Sequence, residues 1–133
     1  MKTLYSDLKG KNIVITGGLG FLASQFVKAF EGNFSNVIIF DKKKSNKKNV
    51  YNCDITKEDE LKSVFKKIKK KFKSIDVLIN NAANNYGAGS NSKDIKLESF
   101  SNEIWDNDLK VGLKGSMLCD NVLGTEMNGQ NSG

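Results

Sequence analysis

Residues 11–20, KNIVITGGLG, constrain the fold more than any other stretch of the chain. An uninterrupted apolar run of this length reads as a strand buried on both faces, as in a parallel sheet. It ends in Gly17, Gly18, Leu19 and Gly20, a tight turn. From Phe21 the period changes: Leu22, Phe26 and Phe30 recur at helical spacing with Ala23 and Val27 beside them, until Gly32 and Asn33 stop the helix. A strand, a glycine turn and a helix in that order open a βαβ unit.

The same alternation continues downstream. Residues 36–40 (NVIIF) read as a second buried strand ending at Asp41, and residues 49–53 (NVYNC) as a shorter third strand closed by Asp54. Between them the polar stretch KKKSNKK is a solvated loop. Thr56 with Asp59 three residues later has the spacing of a capping box. Leu61, Val64, Phe65, Ile68 and Phe72 then make one apolar helix face, with lysines covering the rest. Residues 74–79 carry a fourth strand, IDVLI, followed by Asn80-Asn81-Ala82-Ala83. Residues 84–97 are polar and read as a loop. A long helix is expected from about Ser101, burying a stripe made of Trp105, Leu109, Leu113 and Met117, widened by Val111, Leu118 and Val122. The order β-α-β-β-α-β-α with right-handed crossovers predicts an α/β, Rossmann-like doubly wound parallel sheet with spatial order 3-2-1-4.

Composition narrows the function. At 133 residues the chain has room for one domain, 1–133. The net charge of +6 invites nucleic acid, yet the basic residues are all lysine, so no guanidinium is available for bidentate contacts to phosphate or guanine. No nucleic-acid partner is expected. There is no histidine, and the two cysteines lie inside apolar patterns, so neither a Cys/His metal site nor a disulfide scaffold is expected. No apolar run approaches the roughly 18 residues of a membrane span, and the N-terminus lacks the apolar core of a secretory signal. A cytoplasmic location and no membrane partner are the expectation.

The chemistry sits in the glycine turn. Gly18-Leu19-Gly20-Phe21-Leu22-Ala23 matches G-x-G-x-x-G/A between a strand and a helix. Such glycines let the backbone approach a pyrophosphate, whose charge then rests on unpaired N–H groups of the helix. Asp41 lies at the end of the second strand, at the distance along the chain where a carboxylate accepts hydrogen bonds from an adenosine ribose. An ordinary tight turn followed by a surface aspartate satisfies the same pattern.

TGGLGFLA after strand one, Asp54 in CDIT after strand three and NNAA after IDVLI together resemble the short-chain dehydrogenase/reductase family, from about Leu8 onward. That family usually has NNAG, so Ala83 departs mildly. The resemblance implies a nicotinamide dinucleotide site in which Gly17, Gly20, Phe21 and Leu22 line the pyrophosphate and Asp41 the adenosine ribose. It places Asp54 and Ile55 at the adenine, and Asn81 and Ala82 at the nicotinamide-side ribose. NAD is expected in preference to NADP, since the charge of Asp41 repels a 2′-phosphate, with Lys42, Lys43 and Lys44 softening that preference.

WDNDLKVGLKG resembles the family's W-x6-N-L-x-G helix, but Gly112 stands where the catalytic asparagine falls. VGL at this place, with INNAANN and LCDNVLGTEM, resembles a subgroup of flagellin-modification or sugar-biosynthesis dehydrogenases. The family's catalytic Tyr-x-x-x-Lys has no counterpart in its proper place. Tyr5 and Lys9 have the spacing but precede the first strand, where a solvated arm is expected, and Tyr51 and Tyr86 lack the lysine. The chain is therefore expected to be the N-terminal, cofactor-binding part of an oxidoreductase acting on an alcohol/carbonyl substrate, sugar-like polyols first. On this reading it stops before the fifth strand, has no catalytic residue of its own, and belongs to a parent that is a homo-oligomer. A non-enzymatic dinucleotide sensor and a basic interaction fragment are the alternatives.

Overall fold

The computed structural model of the chain describes residues 5–84, 98 and 100–130; the expected loop 84–97 lies outside them except for Asn84. Four strands form one parallel sheet: β1 (Asn12–Thr16), β2 (Asn36–Asp41), β3 (Val50–Asn52) and β4 (Val77–Ile79). The order is β3-β2-β1-β4, as the sequence predicts. β1 pairs with β2 through Asn12↔Asn36 to Thr16↔Phe40 and with β4 through Ile13↔Val77 to Ile15↔Ile79. All C-terminal strand ends therefore lie on one side, where an open α/β sheet binds its ligands.

Two apolar layers hold the sheet. Ile13, Ile15, Val37 and Ile39 point to one face and meet Phe26, Val27 and Phe30 of α1 (Phe21–Glu31). Val14, Ile38 and Phe40 point to the other, where Leu61, Val64 and Ile68 of α2 (Glu58–Lys71) join Leu118, Cys119 and Leu123. This alternation is the period-2 pleat, and a strand flanked by helices on both faces has no polar side left. Each fully buried Ile or Leu contributes about 1.5–3 kcal/mol relative to exposure.

Four details depart from the sequence expectation. β3 and β4 are three residues each, shorter than the apolar runs that carry them. The capping box does not form: α2 starts from Lys57 with no side-chain cap, and the Thr56 hydroxyl instead donates to Asp54 Oδ1 at 2.7 Å. Leu22 does not pack on the α1 face with Phe26 and Phe30; it is 60% exposed.

The fourth departure is the largest. From Ser101, whose Oγ accepts the Ile104 N–H, the chain is helical as α3 (Asn102–Leu109), a π-helical stretch (Lys110–Gly115), α4 (Ser116–Cys119), a second π stretch (Asp120–Gly124) and α5 (Thr125–Gly129). Its buried side is Gly115, Leu118, Cys119 and Leu123, whereas Trp105, Leu109, Leu113 and Met117 face outward, with Trp105 57% and Leu113 68% exposed. The helix carries two apolar faces, and the flatter one, built on a glycine and a cysteine, lies against the sheet.

The far end of the helix is tied down by polar contacts. Gln130 exchanges two hydrogen bonds with the Ile75 backbone, at 3.1 and 2.9 Å, and Lys69 pairs with Glu126. No helix among the described residues is long and apolar enough to cross a membrane.

Candidate functional site

The C-terminal strand ends border an open cleft of about 930 Å³. All nine residues that the sequence assigns to a cofactor line it, drawn from the glycine turn, the end of β2, the segment after β3 and the turn after β4. Four stretches of chain separated by up to 65 residues thus meet at one place.

Thr16 is the hub that joins two of them. Its Oγ1 accepts the N–H groups of Asn81 and Ala82, each at 3.0 Å, and the Asn81 amide donates back to the carbonyls of Thr16 at 2.9 Å and Gly17 at 3.3 Å. The turn is so close that a Cβ on Gly17 would lie 2.9 Å from Ala82 Cα, and Gly17 itself has φ +64°. Only glycine occupies that conformation without strain. Thr16 escaped the sequence reading because a hydroxyl at the end of a β-branched run looks like one more strand residue.

The N-terminus of α1 opens into the cleft. Its N-cap is Gly20, which offers no side-chain oxygen, and no acidic residue occupies the first turn. The first N–H groups of an α-helix have no intrahelical partner, so an uncapped start that borders a cleft offers donors to an anion. A pyrophosphate fits that chemistry.

Asp41 closes the other side. Its Oδ2 accepts the Leu19 N–H at 3.0 Å and its Oδ1 the Lys43 N–H at 2.9 Å, so the carboxylate latches the glycine turn to the β2–β3 loop. One N–H on each oxygen leaves lone pairs for ribose hydroxyls. Asp54 is held similarly, with Oδ1 accepting the Thr56 N–H and hydroxyl. Burial pulls the Asp54 carboxyl upward, but the Thr56 bonds and the nearby Lys57 and Lys42 outweigh it and keep it below the usual aspartate value. Glu60 accepts the Asp54 N–H at 3.0 Å; the Lys57 ammonium first, and that N–H second, hold its carboxyl low as well. Both are anions at neutral pH.

Cys53 and Cys119 behave oppositely. Burial, and then the charges of Glu60 and Asp54, push the Cys53 thiol up to about 12. Burial, with Cys53 and Asp120 behind it, pushes Cys119 to the same value. Neither is a thiolate nucleophile at neutral pH.

A fifth wall was not assigned from the sequence. Asn107, Lys110 and Val111 of the long helix line the cleft; the sequence places them inside WDNDLKVGLKG but gives them no role at a cofactor. Tyr5 and Lys9, by contrast, sit at the opposite end of the sheet: the Tyr5 N–H donates to Asn33 Oδ1 and Lys9 follows the short helical turn Ser6–Leu8. The length of β1, roughly 13 Å at 3.3 Å per residue, lies between them and the cleft.

The model of the short chain dehydrogenase family matches residues 11–133, nearly the whole chain. The chain belongs to that family. Short-chain dehydrogenase reductase 3a of Arabidopsis thaliana is 27% identical, over 92% of this chain and 57% of its own length. The NAD-dependent glycerol dehydrogenase of Listeria innocua is also 27% identical, over 91% of this chain and 49% of its own. Among solved structures, the aldohexose dehydrogenase of Thermoplasma acidophilum aligns with a TM-score of 0.77 at 28% identity, covering 92% of this chain and 46% of that one. The chain spans about half the length of these short-chain dehydrogenase relatives.

Proposed function

We propose that this chain binds a nicotinamide dinucleotide in the cleft and forms the cofactor half of a dehydrogenase that interconverts an alcohol and a carbonyl. The observation that carries the reading is the convergence at one cleft of an uncapped helix N-terminus and the Asp41 carboxylate, the two groups that a pyrophosphate and a ribose require. In this arrangement the first-turn N–H groups of α1 hold the pyrophosphate, Asp41 the adenosine ribose, Asp54 and Ile55 the adenine, and Asn81 and Ala82 the second ribose. The nicotinamide ring supplies the hydride acceptor when the cofactor is bound. Asp41 favours NAD, because a 2′-phosphate would stand against a fixed carboxylate; Lys42 and Lys43, also at the cleft, temper that preference.

Sugar-like polyols are the proposed substrates, a reading supported by the glycerol and aldohexose dehydrogenases among the relatives. Turnover is not expected of these 133 residues by themselves. A tyrosine general acid/base must lie within hydrogen-bond reach of the substrate, and the one Tyr-x-x-x-Lys pair lies at the wrong end of the sheet. The parent is proposed to be a homo-oligomer, which the outward apolar face of Trp105, Leu109, Leu113 and Met117 supports.

Calorimetric titration with NAD and NADP tests the cofactor assignment. NAD should bind more tightly, and Asp41→Ala should erase the difference. Tighter NADP binding that Asp41→Ala leaves unchanged would refute the role given to Asp41.

A further inference from the structure

We propose that Gly115 is a positioning residue of the cleft: lacking a side chain, it lets the long helix press on Ile55 and fix the wall at the adenine end. The proposal rests on the dinucleotide reading above. A Cβ on Gly115 would lie 2.7 Å from Ile55 Cδ1 and 2.9 Å from its Cγ1. The other helical glycines within this helix differ, since a Cβ on Gly112, Gly124 or Gly129 would meet nothing within 4 Å. Glycine inside a helix costs about 1 kcal/mol relative to alanine. At Gly115 that cost accompanies a close approach to Ile55, whose side-chain end would have to shift to admit a Cβ.

Ile55 lies between the core and the cleft. It is 5% exposed and packed among the core residues between the sheet and α2, but it also lines the cleft. A methyl group on residue 115 would therefore drive the isoleucine into the cleft. Otherwise it would lift the helix and carry Asn107, Lys110 and Val111, which also line the cleft, away with it. Both movements change the cleft, and they start at the adenine end.

The test is a double-mutant cycle read by ligand affinity. The 133-residue chain, Gly115→Ala, Ile55→Ala and the double variant are titrated with NAD, AMP and nicotinamide mononucleotide. Gly115→Ala should weaken NAD and AMP at least fivefold and the mononucleotide less than twofold. On the Ile55→Ala background, where the space is already vacated, the same change should cost less than twofold. Unchanged AMP affinity in Gly115→Ala, an equal loss on both backgrounds, or an equal loss for the mononucleotide overturns the proposal. If Gly115→Ala does not fold, the double variant decides: binding like Ile55→Ala supports the contact, and loss of binding overturns it. Absence of NAD and AMP binding by the unsubstituted chain would instead refute the dinucleotide reading, and this proposal with it.

Discussion

Replacing Thr16 by valine isolates the joint between β1 and the turn after β4. The side chain is fully buried, and valine keeps its shape while removing one oxygen. That oxygen accepts two backbone N–H groups, from Asn81 and Ala82. An unsatisfied buried donor costs about 1–3 kcal/mol. Asn81 and Ala82 are only half-buried, so water reaches part of the deficit. The sum is then about 2–3 kcal/mol, toward the lower end of two full penalties. With a urea slope of about 1.5 kcal/mol/M, the unfolding midpoint should fall by about 1.5 M. Thr16→Ser keeps the oxygen and loses one methyl, about 0.8 kcal/mol, so it should fall by roughly a third as much. Urea titration of the three proteins, followed by far-UV circular dichroism, makes the comparison. A valine variant as stable as the parent, or a serine variant as damaged as the valine one, would refute the assignment of the hydroxyl as the joint.

Gly17→Ala should destabilise by about 2 kcal/mol or more, since it adds left-handed strain to a contact with Ala82 backbone, whereas Gly112→Ala should be neutral or stabilising by up to about 1 kcal/mol; thermal melts of both compare them. Neither cysteine should react with a disulfide reagent in the native protein. With thiols pushed up to about 12, the thiolate fraction at pH 8 is about 10⁻⁴, and labelling should appear only with urea. The Asp54 carboxyl is depressed in the folded chain, so its contribution to stability is present above the unfolded value of about 3.9 and is lost as pH falls through the lower folded value. The thermal midpoint should therefore drop more steeply below about pH 4 in the parent than in Asp54→Asn, and parallel acid limbs would exclude Asp54 from the effect.

How far the site was legible follows from where its information resides. The glycine turn, Asp41, Asp54 and the NNAA turn each follow an apolar strand run directly, so a local pattern placed them at strand ends. Parallel pairing then brings strand ends together without further instruction. Thr16 and the helix residues Asn107, Lys110 and Val111 carry no such mark, because their roles depend on a partner distant in the chain. Thr56 shows the same limit at short range: its spacing to Asp59 fits a cap, yet α2 starts after Lys57 without a side-chain cap and the Thr56 hydroxyl donates to Asp54.

The sequence by itself determined the sheet. Uninterrupted apolar runs mark strands of a parallel sheet covered on both faces, and the β-α-β-β-α-β order with right-handed crossovers matches the Rossmann-like order 3-2-1-4, which is the order observed. The facing of the long helix was decided by tertiary structure alone. Its Trp105, Leu109, Leu113 and Met117 series and its Gly115, Leu118, Cys119 and Leu123 series are both apolar, so periodicity ranks them equally. Close packing does not. The helix meets Ile55 at Gly115, where it has no side chain, and Leu118, Cys119 and Leu123 join the core on that side while the tryptophan series stays exposed.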